Sequence, residues 1–193
     1  MSSPHPYHHG DLRHALLSAA LDVVAADGPG ALSLRDLARR AGVSHAAPAH
    51  HFKDRAGLLT AIAAEGYTLF ADALAAVPDL RERGAQYVRF ARTHPAHFQV
   101  MFQPALYRTD DPELVAARGR AGRALSQGVA GLPGEGRNGA DAREAGIAAW
   151  SLAHGFAALL LSRNLDDFLA DRDPEEVFRS LAGLLFRPGT DGG

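Results

Sequence analysis

Ser33-Leu34-Arg35-Asp36-Leu37-Ala38-Arg39-Arg40-Ala41-Gly42-Val43-Ser44-His45-Ala46-Ala47-Pro48-Ala49-His50-His51-Phe52 reads as two short helices joined by a tight turn. Ser33, followed three residues later by Asp36, is a helix start signal. Leu34, Leu37, Ala38 and Ala41 recur at helical spacing and make one apolar face. Gly42 is expected to stop this helix, because the residue past a helix end often takes the left-handed conformation open to glycine. Ser44 suits the N-cap of the second helix. Phe52 and the Leu58-Leu59 pair then anchor the core side. Two helices joined in this way are a helix-turn-helix, the device that lays its second helix in the major groove of DNA. With Ser44 as cap, Pro48 is the fourth helical residue and removes only the first helical hydrogen bond. The other arrangement has Pro48 crowd the Ser44 carbonyl and delay the helix by about one turn.

The remaining sequence predicts an all-α protein. Hydrophobic content is 47%, carried mainly by Ala and Leu, with no alternating β-branched runs. About nine helices follow from apolar periodicity and Gly or Pro breaks. They cover about residues 11–26, 33–41, 44–52, 55–76, 80–94, 96–102, 112–131, 141–164 and 174–186. A three-helix head over residues 1–55 and a helical body over 56–193 are expected, with a disordered tail from Pro188 to Gly193. There is no cysteine, which excludes disulfides and thiolate metal sites. The longest uninterrupted apolar stretch, Gly155 to Leu161, falls far short of the ~20 residues needed to span a bilayer. The N-terminus lacks the basic and then apolar segments of a signal peptide. No membrane partner and a cytoplasmic location are therefore expected.

Net charge is −2, and residues 1–60 hold six Lys or Arg against five Asp. That is a weak electrostatic footprint for a DNA reader. Seven of the ten histidines lie in the same stretch: His5, His8, His9, His14, His45, His50 and His51. Histidine changes charge near neutral pH, and phosphate neighbours favour its cationic form. The positive footprint is thus expected to depend on pH.

The helix pair resembles that of TetR-family transcriptional regulators, whose second helix usually reads Ser-x-x-x-Leu-Tyr-x-His-Phe with a Lys opening the next helix. The pattern falls here on Ser44, Pro48, Ala49, His51, Phe52 and Arg55. Pro48 stands for the Leu and Ala49 for the Tyr, a residue that commonly touches a phosphate, so one positioning contact is expected to be missing. Trp150-Ser151-Leu152-Ala153-His154-Gly155 and the segment Phe90 to Phe102 are similar to the Trp-His-Gly type of C-terminal domain in that family. The opening Tyr7 to Arg13 is common in the same branch.

The resemblance implies a repressor released from double-stranded operator DNA by a small hydrophobic or aromatic effector. It also implies a homodimer, formed through the last two long helices, and a small-molecule pocket in the body. Ser44, His51 and Arg55 would hold phosphates, His45, Ala46 and His50 would face bases, and Arg35 and Arg39 would add charge along the backbone. Phe98, Met101, Phe102, Tyr107, Trp150 and His154 are the expected pocket residues. Gly155, inside a helix, is expected to permit a close helix crossing. No cofactor and no metal are expected.

Other patterns have plainer readings. Gly134-Glu135-Gly136-Arg137-Asn138-Gly139 matches a nucleotide-loop spacing, but no strand precedes it and no acidic residue follows at the expected distance. It reads as an inter-helix loop. His5, His8 and His9, and His94 with His97, lack carboxylate or thiolate companions and are weak metal signals. Arg81, Arg83, Arg89 and Arg92 read as an exposed helix face. No nucleophile–base or carboxylate pair stands out. The alternatives are a small all-α enzyme or metal carrier using His154 or the His-rich arm, and a dimer that has lost efficient DNA binding. Salt-dependent retention on duplex DNA separates the first from a regulator.

Overall fold

The computed structural model describes residues 9–77, 79–129 and 139–185, and all regular structure among them is helical. Its α-helices are α1 (His9–Asp27), α2 (Leu34–Arg40), α3 (Ala47–Phe52), α4 (Arg55–Ala75), α5 (Leu80–Thr93), α6 (Pro95–Met101), α7 (Pro112–Val129), α8 (Gly139–Leu161), α9 (Asp166–Leu169) and α10 (Pro174–Leu185). Two 3-10 turns, Pro29–Ala31 and Pro104–Leu106, lie between them. The all-α expectation holds. The single-turn α9 is the addition, being too short to show a period. His5 and His8 of the histidine arm, the Gly134–Gly139 loop apart from its last residue, and the tail from Pro188 to Gly193 lie outside the described residues.

Helix ends follow local chemistry. Gly28, at φ 78°, ends α1, its N–H reaching the Val24 carbonyl at 3.0 Å. Gly42, at φ 66°, ends α2: its N–H donates to Arg39 O, and the Val43 N–H to Ala38 O at 3.0 Å. That pair of bonds is the left-handed glycine stop expected there. Asp79, Asp111 and Asp173 each accept backbone N–H groups at the starts of α5, α7 and α10, filling donors a helix leaves open.

The described residues fall into two compact units, one made of those up to Gly66 together with Ala96–Val115, the other of those from Tyr67 to Pro95 together with those from Ala116 onward. The first unit takes in the start of α4 as far as Gly66, and α6 with the start of α7. In that unit α1, α2 and α3 pack on one another. Leu16, Val24, Leu37, Leu58 and Ile62 are fully buried there, as are Val100, Met101 and Leu114 from the later segment. Met101 packs so tightly on α4 that a Cβ at Gly66 would lie 2.7 Å from its sulfur.

The second unit is built on α5, which packs against both α8 and α10. Phe70 meets Tyr87 edge-on and Phe90 at a tilt, each at 5.0 Å. Its close crossing lies at Gly84, where a Cβ would collide with the Phe178 ring, and not at Gly155, where a Cβ would meet nothing within 4 Å. Of the α5 arginines expected on an exposed face, Arg81, Arg89 and Arg92 are exposed and Arg83 is the exception. Arg83 is half-buried and donates to the Val77 and Ala124 carbonyls. Arg92 and Arg89 approach the buried Glu175 carboxylate at 3.0 and 3.9 Å. A desolvated carboxylate requires such partners, so the anion for these two arginines is internal.

Two helical segments, Arg55–Ala75 and Arg143–Leu161, are long and apolar enough to cross a membrane by length and composition, each with mean hydropathy 1.3. The uninterrupted-run criterion missed both because their apolar residues are spaced by small or polar ones. The first is 61% buried inside the fold; the second is only 17% buried.

Candidate nucleic-acid interface

The interface is built on α2 and α3. The second helix begins at Ala47 and not after Ser44, with Ala46 at its N-cap and Pro48 within its first turn. The cause is the missing N–H of Pro48, which would have been the helical donor to the Ser44 carbonyl. That carbonyl instead accepts the Ala47 N–H at 3.0 Å. The delayed start was one of the two arrangements the sequence allowed, and Ser44 is therefore exposed but is not the cap. The result is a short α3 that buries Pro48 and Phe52. It leaves His45, Ala46, Ala49 and His50 exposed, with His51 half-buried. The His50 and His51 rings meet edge-on at 5.5 Å.

Arg35 and Arg39 are exposed on α2. With Asp36, Ala38, Gly42, Val43 and His45 they line an open depression of about 740 Å³. The Arg39–Asp36 pair, 3.6 Å apart and well exposed, is too solvated to immobilise the guanidinium. Arg40 and Lys53 are further exposed cations here that the motif reading did not single out.

Arg55 is half-buried, with two guanidinium nitrogens engaged inside the fold. Its Nε donates to the Leu32 carbonyl at 3.1 Å and its Nη2 to the Pro29 carbonyl at 2.7 Å. It ties the turn after α1 to the start of α4, a bond across more than twenty residues that the local motif could not show. Behind α3, Arg13 lies over the Phe52 ring, 5.4 Å from its centroid.

The joint from α3 to α4 is Lys53-Asp54. Lys53 has φ 68° and ψ −61°, and the Asp54 N–H donates to Phe52 O at 2.8 Å. This is the positive-φ form of the three-residue turn, rare and strained, at a cost on the order of 1–3 kcal/mol for a non-glycine residue. Asp54 caps α4 through Gly57 N at 2.8 Å and pairs with Arg108 at 2.5 Å. The bond from the Gly57 amide, with Arg108 nearby, holds the Asp54 carboxyl below its ordinary value.

The six proposed effector residues divide between the units. Phe98, Met101 and Tyr107 are buried in the first, and Phe102 is half-buried. Phe98 and Phe102 meet at 4.9 Å, and the Tyr107 hydroxyl donates to the Met101 carbonyl at 2.7 Å. His97, one residue earlier, contacts Glu65 at 3.1 Å, and this bond holds the Glu65 carboxyl below the usual range. Trp150 and His154 lie in the second unit, on α8, and share a partner that the sequence reading missed. Trp150 Nε1 donates to the Tyr87 hydroxyl at 3.2 Å, and that hydroxyl lies 2.8 Å from His154 Nδ1. Burial pushes the Tyr87 hydroxyl well above its ordinary value.

Burial also holds His154 below the ordinary histidine value. The unfolded chain then binds more protons than the folded one, so stability present above the ordinary histidine pKa is lost as pH falls below it. The thermal midpoint is expected to drop between about pH 7.5 and about pH 5.5, and His154→Gln, which can still hydrogen-bond Tyr87, should flatten that slope. A slope unchanged in the variant would assign it to another group.

The geometry agrees with the family comparisons. Residues 16–62 match the model for bacterial regulatory proteins of the tetR family, and residues 80–185 match the tetracyclin repressor-like C-terminal domain. The chain belongs to the TetR family and is a helix-turn-helix transcriptional regulator; the family is not one of enzymes. A solved protein of unknown function from Rhodococcus sp. RHA1 is 33% identical, with 95% of this chain and 98% of that one covered at a TM-score of 0.75. Two more distant structures share the fold. NalD, the secondary repressor of the MexAB-OprM multidrug efflux pump in Pseudomonas aeruginosa, is 20% identical over 92% of this chain and 95% of its own, with a TM-score of 0.61. AibR, solved with isovaleryl coenzyme A and operator DNA, is 18% identical over 92% and 99%, with a TM-score of 0.63. No curated protein matches the chain in sequence.

Proposed function

We propose that this regulator is a homodimeric cytoplasmic repressor that leaves double-stranded operator DNA when a small hydrophobic or aromatic effector binds its body. The observation that carries the reading is the exposed surface of α3 and the turn before it: Ala49 and His50 are exposed on α3, Ala46 at its N-cap, and His45 lines one depression with Arg35 and Arg39 of α2. In this reading His45, Ala46 and His50 face bases. Ser44, His51 and the α2 arginines meet the phosphate backbone, with Lys53 as a further cation. Arg55 organises the head instead. AibR, solved with both an acyl-coenzyme A and operator DNA, supports pairing the two kinds of ligand. Trp150 and His154, joined through Tyr87, supply the polar end of an otherwise apolar effector site. The exposed apolar face of α8 supports the dimer.

Selection of duplexes from a random pool by the full chain tests the proposal. Inverted half-sites about 34 Å apart, or a multiple of that, are expected. A pool that stays random would sink the repressor reading and favour a dimer without efficient DNA binding, which the small Ala49 side chain would explain.

A pH dependence follows from the histidine-rich face. Protonation near phosphate adds cations, so binding takes up protons. Affinity for the selected duplex should rise as pH falls from about 8 to about 6, with a steeper salt dependence at the lower pH. His51→Gln should flatten this trend more than His45→Gln. Level binding across the range at fixed ionic strength would show that these imidazoles carry no phosphate charge.

A further inference from the structure

We infer that Arg108 is a positioning residue for DNA reading: from the segment between α6 and α7 it clamps the α3–α4 joint and so fixes the angle at which α3 is presented. This deepens the proposed function and rests on α3 being the helix that reads DNA. The joint needs a clamp. Lys53 occupies a conformation that L residues rarely adopt, and such a turn persists only where its surroundings over-determine it.

Arg108 supplies those surroundings, although it stands 54 residues along the chain from Asp54. Its Nη2 donates to Asp54 Oδ2 at 2.5 Å, while Asp54 Oδ1 accepts the Gly57 N–H. Its Nη1 lies so close to Gly57 that a Cβ there would sit 2.8 Å from it. The arginine backbone is fixed in turn. The Arg108 N–H donates to Thr60 Oγ1 at 3.0 Å, and Thr60, itself buried, donates to Ala56 O at 2.7 Å. The preceding residue, Tyr107, is buried and bonded to Met101 O. One side chain thus spans the joint and the first turn of α4, held by a backbone that cannot slide. All these residues belong to one compact unit.

An ordinary surface ion pair is the competing explanation. The partners are 41% and 55% exposed, and pairs so solvated add little to stability. Geometry, not stability, is therefore where the two explanations part. The segment Ala96–Val115 also continues along the chain into α5 on one side and the rest of α7 on the other, both in the second unit.

The test uses the full chain with Arg108→Gln, Asp54→Asn and the double variant, since the asparagine introduced by Asp54→Asn can keep the helix cap. The DNA probes are the duplex recovered by selection and a random-sequence duplex of equal length. Amide hydrogen exchange over residues 53–57 is followed in parallel. Each single variant is expected to bind the selected duplex about tenfold more weakly, the double variant no worse than either, with random-duplex binding and its salt slope unchanged. Thermal midpoints should stay within about 2 °C, while the 53–57 amides exchange faster. Wild-type affinity in Arg108→Gln, or multiplicative losses in the double variant, would overturn the inference. Equal loss on both duplexes with a shallower salt slope would instead make Arg108 a phosphate contact. If the wild-type chain selects no sequence, the DNA-reading assignment falls and the inference with it. The exchange data then show separately whether the clamp exists: faster exchange in Arg108→Gln keeps it as a purely structural device, and unchanged exchange removes it.

Discussion

Replacing Gly57 by alanine is expected to destabilise the protein by about 2 kcal/mol, although the same change inside a helix normally gains about 1 kcal/mol. The sign reverses because α4 starts against the end of α3. A Cβ on Gly57 would fall inside contact distance of the Phe52 carbonyl oxygen and 2.8 Å from Arg108 Nη1. The guanidinium can swing aside, but the carbonyl belongs to the backbone of α3 and is already the acceptor of the strained Lys53 turn. Relief would have to come from separating the two helices. Thermal melting should fall by roughly 5 °C for a chain of this size, with specific DNA binding lost before non-specific binding. Gly122→Ala is the control, since a Cβ there meets nothing within 4 Å, and it should be neutral or mildly stabilising. Equal melting of the Gly57 variant and the wild type would show that the joint yields freely, and the positional argument for α3 would lose its basis.

Ile147→Asp combined with Leu159→Asp is expected to convert a dimer into monomers. Ile147 is 54% exposed, Leu159 46%, and Leu184 on α10 62%. Small residues, Ser151, Gly155 and Ala158, lie among the α8 positions, and a Cβ at Gly155 would meet open space. A helix with this much uncovered apolar surface is a poor solvent face, and a second copy would cover it with an interface of at least about 1,200 Å². The two carboxylates lie on an already exposed face, so the fold itself should survive, which circular dichroism will show. Sedimentation should move from dimer to monomer at micromolar concentration. Affinity for a two-half-site duplex should fall by about 10²-fold or more, because the second half-site contact is no longer intramolecular. A wild-type chain that sediments as a monomer would remove the dimer from the proposal. A double variant that remains dimeric would place the interface on another face.

The sequence alone determined the elements whose signals are local. The glycine stop at Gly42 and the helical face of Leu37 and Ala38 each depend on residues within about one turn, where hydrogen-bond chemistry and periodicity act directly. The same holds for the breaks at Pro95 and Pro112 and for the family motifs built on them. At Pro48 the sequence left two helix starts open, and the structure took the later one because the Ser44 carbonyl finds its donor at Ala47. The tertiary structure decided everything that requires distant segments to meet. It turned Arg55 toward the Pro29 and Leu32 carbonyls, set Tyr87 between Trp150 and His154, and gave Glu175 to Arg92. It also placed residues 96–115 with the head, bringing Arg108 onto Asp54. Such pairings leave no periodic trace, because the partner of an arginine or a tyrosine is chosen by which backbone the packed core carries past it.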